Sequence, residues 1–161
     1  MAFFFFGGNM IYLGNQELWK QPKIAFFASR KANFKFTKKA ILWVQEIPKD
    51  VCFIGSFHSP AEQAVFRHIL RAGKSAIWIL GKSIPEFLSR DESKALDENR
   101  LLIFSLVKRE RFKKATAHCA NDFAVAHSQA IVFGQIADNS FLYPFYKRLK
   151  ASRPQDVIRI C

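Results

Sequence analysis

Five short runs of nearly unbroken apolar residues limit what this chain can fold into: IAFFAS at 24–29, VCFIG at 51–55, SAIWIL at 75–80, LLIFSL at 101–106 and QAIVFGQ at 129–135. A strand with one wet face alternates apolar and polar side chains. An unbroken run belongs to a strand covered on both faces, as in parallel sheets. The stretches between the runs have helical period. In 36–47, Ala40, Ile41, Trp43, Val44 and Ile47 make one broad apolar face, which Pro48 closes. Residues 61–72 read as a helix ended by Gly73, 85–100 as a short helix plus loop, and 116–128 and 141–151 as two more helices. VIRI at 157–160 and MIYLG at 10–14 read as edge strands. Strand-length runs alternating with amphipathic helices predict one α/β domain with a doubly wound, mostly parallel sheet. Right-handed crossovers then bring every strand-to-helix loop to one edge, and these loops begin at Ser29, Gly55, Gly81, Ser105 and Gly134.

A length of 161 residues suits a single domain with a real core, and half the residues are apolar, 18 of them Phe. Lys and Arg number 25 against 13 Asp and Glu, a net charge of +12 that favours a polyanionic partner such as nucleic acid or nucleotides. Cys52, Cys119 and Cys161 are far apart, with no C-x-x-C pair, so neither a disulfide framework nor a zinc site is indicated. Cys52 lies inside an apolar run and reads as core. A cytoplasmic protein without metal or cofactor is expected. The Phe-rich start is far too short to span a membrane and lacks the basic flank of a signal peptide. Residues 1–9 therefore read as a disordered leader before a domain over 10–161, with no membrane partner.

The segment VCFIGSFHSPAEQAVFRHIL, 51–70, places the site. Its strand breaks at Gly55 into a polar loop, and a helix opens with Ser59 at the N-cap, Pro60 at the first helical position and Glu62 at the third. A helix start at the carboxyl end of a parallel strand offers N–H groups and positive partial charge to a phosphate. Gly55 permits close approach, Ser56 can donate, Ser59 must choose between capping and ligand, and His58 is a titrating contact. No Asp is placed to orient His58, which speaks against a hydrolytic triad. Ser29-Arg30 adds a hydroxyl and a guanidinium after the preceding strand run. Lys108, Arg109, Arg111, Lys113 and Lys114 surround Phe112, and Arg30, Lys31, Lys35, Lys38 and Lys39 interleave with Phe34 and Phe36. Charge with aromatics suits single-stranded nucleic acid, whose phosphates pair while its bases stack. Lys74-Ser75 and Lys82-Ser83 each follow a Gly, but a P-loop needs a further Gly where His68 and Ala76 stand. His118 and Asn121 are three apart on one helix face, and Ser140 reads as the N-cap of the last helix.

On these residues the chain, from about residue 24 to residue 149, resembles the DNA-processing protein A (Smf) family in its Rossmann-like core. Ala28-Ser29-Arg30 is similar to that family's Gly-Ser-Arg turn. Ile54 through Glu62 is similar to its Ser-Gly turn and following helix. Leu102-Ile103-Phe104-Ser105 matches a strand ending in Ser, and Ala120-Asn121 an Arg-Asn pair. Ala28 stands for Gly, Gly55-Ser56 reverses Ser-Gly, and Ala120 stands for Arg. The resemblance implies a non-catalytic single-stranded DNA binder that hands DNA to the RecA recombinase and pairs into a homodimer. It also implies DNA contact at Ser29, Arg30, Gly55, Ser56 and Asn121. The same core resembles that of lysine-decarboxylase-like phosphoribohydrolases. Their Pro-Gly-Gly-x-Gly-Thr-x-x-Glu loop is absent, since Gly134 through Ser140 reads GQIADNS. Nucleotide hydrolysis is not expected, and a nucleotide-binding sensor is the alternative function.

Overall fold

Along the chain run β1 (Phe3–Phe6), β2 (Met10–Gly14), a 3-10 helix (Gln16–Lys20), β3 (Lys23–Phe27), α1 (Phe34–Glu46), β4 (Cys52–Gly55), α2 (Pro60–Arg71), β5 (Ser75–Leu80), α3 (Arg90–Asp97), β6 (Leu101–Ser105), α4 (Lys114–Ala126), β7 (Ala130–Phe133), α5 (Leu142–Ser152) and β8 (Val157–Arg159). The structure, a computed structural model, describes residues 3–6, 10–29, 33–106 and 114–160. The strands form one sheet in the order β1-β2-β6-β5-β4-β3-β7-β8. From β6 to β8 all neighbours are parallel, and β2 and β1 extend the β6 edge antiparallel.

The apolar runs are unbroken because alternate side chains enter two separate cores. Phe26, Phe53, Ala76, Leu101, Ile103 and Val132 pack with α1, α2 and α3 on one face. Ala25, Phe27, Ile54, Ile77, Leu102, Phe104 and Phe133 pack with Leu18, α4 and α5 on the other. Much of the Phe content goes into these cores: Phe26, Phe27, Phe53, Phe104 and Phe133 are fully buried, each contributing about 2 kcal/mol. Cys52 is core as expected, and burial pushes its thiol up to about 12.

Two local readings differ. Phe3–Phe6, read as leader, pairs with β2 from Phe3 opposite Leu13 to Phe6 opposite Met10. The free backbone edge of β2 and the strand preference of aromatic residues favour that pairing over an unstructured tail. Ser140 does not cap α5. Its hydroxyl turns back to the Ala137 carbonyl at 2.7 Å, and the N-cap is Phe141, which makes no side-chain capping bond.

Candidate functional site

The sheet's connection reverses between β3 and β7. From β3 the chain leaves to α1 on one face, and from β7 to α5 on the other, so a crevice belongs at their carboxyl ends. Two hydrogen bonds continue the ladder past the strands: Gly134 N–H to Phe27 O at 2.8 Å and Ser29 N–H to Gln135 O at 2.9 Å. Above them lies the ring of Phe36, 5% exposed. A Cβ on Gly134 would overlap that ring, so glycine here makes room for an aromatic plug.

The start of α2 forms as the sequence predicts and does something further. Ser59 and Glu62 make a full capping box, with Pro60 in the first turn. Both residues also reach beyond their own helix to the end of β3. The Glu62 carboxylate accepts the N–H of Ala28 at 2.8 Å, of His58 at 3.0 Å and of Ser59 at 3.2 Å. The Ser59 hydroxyl donates to Ala28 O at 2.9 Å and accepts from Glu62 N–H at 3.2 Å. Ser59 and Glu62 are buried, and desolvation pushes Glu62 up to about 7 against the pull of those hydrogen bonds. The donors expected to grip a phosphate at this helix start therefore already hold a carboxylate of the protein itself. The Ser59 hydroxyl and N–H take the capping side of the choice that the sequence left open.

Gly55 is closely packed. It is buried, and a Cβ there would lie 3.2 Å from Phe26 O and 3.5 Å from the Phe57 ring. Its smallness therefore serves packing. Phe57 takes the left-handed φ of 46°, a costly conformation for a bulky residue, and stacks on Phe66 at 4.5 Å. The turn it makes presents Ser56, whose carbonyl is held by Trp78 Nε1 at 3.0 Å. The Ser56 hydroxyl donates to Asn121 Oδ1 at 3.0 Å, so two residues 65 apart in sequence are brought together. Ser29 is buried just past the end of β3, and His58 is half-buried. Lys74, in the Gly-Lys-Ser run, is buried and donates to the Ile47 carbonyl, which leaves it no P-loop role. Arg30, Lys108, Arg109, Arg111 and Lys113 lie outside the described residues, as does the side chain of Lys114.

Sequence reasoning missed Asn33, Gln135 and Arg159. Asn33 caps α1, its side chain accepting Phe36 N–H at 2.9 Å, and its own N–H goes to Gln135 Oε1 at 2.8 Å. Arg159 ends β8 beside Phe133. The pattern N-F-K-F is a readable cap, but only the strand order brings β8 next to the crevice.

No protein-family model matches the chain, and no curated protein matches it in sequence. In three dimensions it is similar to DNA processing protein A from Streptococcus pneumoniae, with a TM-score of 0.74 at 18% identity over 94% of this chain and 54% of that one. It is also similar to DNA processing protein A from Helicobacter pylori, in a structure concerned with the unique single-stranded DNA binding mode of that protein. There the TM-score is 0.74 at 16% identity, over 93% of this chain and 70% of that one. This chain thus spans about half the length of the first protein. It has the Rossmann-like α/β fold of DNA processing protein A.

Proposed function

We propose that this protein binds single-stranded DNA, without catalysis, along the carboxyl edge of its sheet. The observation that carries the reading is the shared fold, over nearly the whole chain, with a protein whose single-stranded DNA binding has been described structurally. The +12 charge supports it, as does the hydrogen bond that joins Ser56 to Asn121. Ser56 and Asn121 supply polar contacts, and Arg30, Lys108, Arg109, Arg111, Lys113 and Lys114 supply charge for phosphates. A non-catalytic role agrees with the state of Glu62, whose two oxygens are taken up by backbone N–H groups and which is therefore no ready base. A homodimer, transfer of DNA to RecA and a cytoplasmic location belong to the same proposal. No helix among the described residues is long and apolar enough to cross a membrane.

The test is fluorescence anisotropy with labelled single strands of several lengths across a salt series, with duplex and mononucleotide competitors. Length-dependent binding that prefers single strands and weakens steeply with salt is expected. Substituting Arg30, or Arg109 and Arg111 together, weakens binding and flattens the salt dependence. Displacement by one mononucleotide, with no effect of strand length, would replace this reading with the sensor.

A further inference from the structure

Two phenylalanines in the first turn of α1 have opposite fates. Phe36 is 5% exposed and plugs the crevice, while Phe34, two residues earlier, is 82% exposed. Between and beyond them stand Lys35 and Lys39, one turn apart on the same side of the helix. Across from them Arg159 ends β8, its guanidinium held over the Tyr146 ring at 5.5 Å. Lys35, Lys39 and Arg159, with Asn33, Gln135 and the apolar walls Phe36 and Ile160, line a cleft of about 310 Å³. Among the described residues, none that lines it is Asp or Glu. Gln135 commits its Oε1 to the Asn33 N–H, which leaves its NH2 end as a donor.

Lys35 and Arg159, from two elements, converge on one recess with no acidic side chain among its described walls, and like charges so placed repel. Lys35 also sits in the positive first turn of α1, which has no acidic residue, where a cation is disfavoured. An anion in the cleft relieves both. A phosphate on its own leaves Phe34 unexplained. A phosphodiester of a single strand uses both features, because its unpaired base is available to stack. We propose that the cleft between α1 and β8 holds a backbone phosphate of single-stranded DNA while Phe34 stacks on the adjoining base. This rests on the reading of the protein as a single-strand binder and adds a contact surface whose lining does not include Ser56 or Asn121.

The experiment measures anisotropy of a labelled oligothymidine across salt for the full chain and for two variants, with inorganic phosphate and duplex as competitors. Lys35→Gln/Arg159→Gln is expected to weaken binding about tenfold or more at low salt. It also makes the salt slope shallower by about 0.7 for each phosphate that the variant no longer neutralises. Phe34→Ala is expected to weaken binding by about tenfold with the slope unchanged, and Phe34→Trp to restore it, because stacking releases no counterions. Both sites are exposed, so melting temperatures close to that of the parent verify folding. Parental binding by both variants overturns the cleft while leaving single-strand binding intact. No binding of single strands by the parent chain overturns the underlying reading and the cleft with it. Loss in the charge variant alone, with inorganic phosphate as a full competitor, also overturns the proposal and makes the cleft a free-anion site.

Discussion

The helices α1 and α2 both begin at the carboxyl edge, on adjacent parallel strands, and both carry a side-chain N-cap, yet they are opposites electrostatically. α2 closes on itself: Glu62 in its first turn binds the N–H groups of its own start and of the β3 end, in a buried site. α1 is capped by Asn33, has no acid in its first turn, and faces a cleft lined by Lys35, Lys39 and Arg159. A strong capping sequence is therefore a poor guide to an anion site. The features that make a helix start stable, an inward hydroxyl and a third-position carboxylate, are those that use up its donors. The start left for a ligand is the one whose local charge is unfavourable until something binds.

The sharpest way to break that contrast is at Glu62. Glu62→Ala leaves three N–H groups without their acceptor in a buried site, and a loss of about 3 kcal/mol or more in denaturant unfolding is expected. Glu62→Gln keeps one oxygen and turns an NH2 towards donors, so a smaller loss is expected. The same group gives a pH signature. Folding raises Glu62 from 4.5 to about 7, so the folded chain binds its proton more tightly than the unfolded chain. Its contribution to stability is full below about pH 4.5 and is lost as pH rises through about 7. The melting temperature of the parent relative to Glu62→Gln should thus fall between about pH 5 and about pH 8. The comparison cancels the repulsion of the basic surface, which both proteins share. A flat difference would place the Glu62 titration elsewhere.

Next in size is the plug. Gly134→Ala pushes a methyl into the Phe36 ring, for which a cost of about 1–3 kcal/mol is expected. Phe36→Leu in the same chain should recover part of it, and a double-mutant cycle measures the coupling. Additive losses would mean that the ring does not depend on the glycine. The two caps then compare directly. Ser59→Ala removes a capping bond and a buried bond to Ala28 O, and is expected to cost about 2 kcal/mol. Asn33→Ala removes one capping acceptor on an exposed residue, for about 1 kcal/mol. Equal losses would show that the link from α2 to β3 carries no stability of its own.

Most of the fold is legible in sequence because it is local. SAIWIL is β5 from end to end, and Ser59, Pro60 and Glu62 open α2 where composition puts them. The errors lie where a tertiary neighbour decides. Ser140 loses its capping role to a turn with Ala137, and Phe3–Phe6 depends on the free edge of β2. In the site, the meeting of Ser56 with Asn121 is not legible in sequence, since it joins β4's loop to α4. The reach of Glu62 to Ala28 and the place of Arg159 by the crevice need the strand order, which periodicity does not encode. The interleaved Phe34 and Phe36 are visible as a pattern, but nothing in the pattern says which ring turns inward.

That last ambiguity supplies the smallest expected effect. Phe34 has 82% of its surface in water and Phe36 has 5%. Burial of a phenyl ring contributes about 2–3 kcal/mol, so Phe36→Ala should destabilise by about that much and add a cavity cost. Phe34→Ala removes a side chain that folding leaves in solvent, and alanine is the better helix former. Its unfolding free energy should stay within about 0.5 kcal/mol of the parent, on the favourable side if it moves at all. The pair would separate what each ring does, with stability following Phe36 and single-strand affinity following Phe34. A marked loss of stability in Phe34→Ala would mean that this ring packs against the protein in solution. It would then be structural, and the stacking surface at the open helix start would be lost.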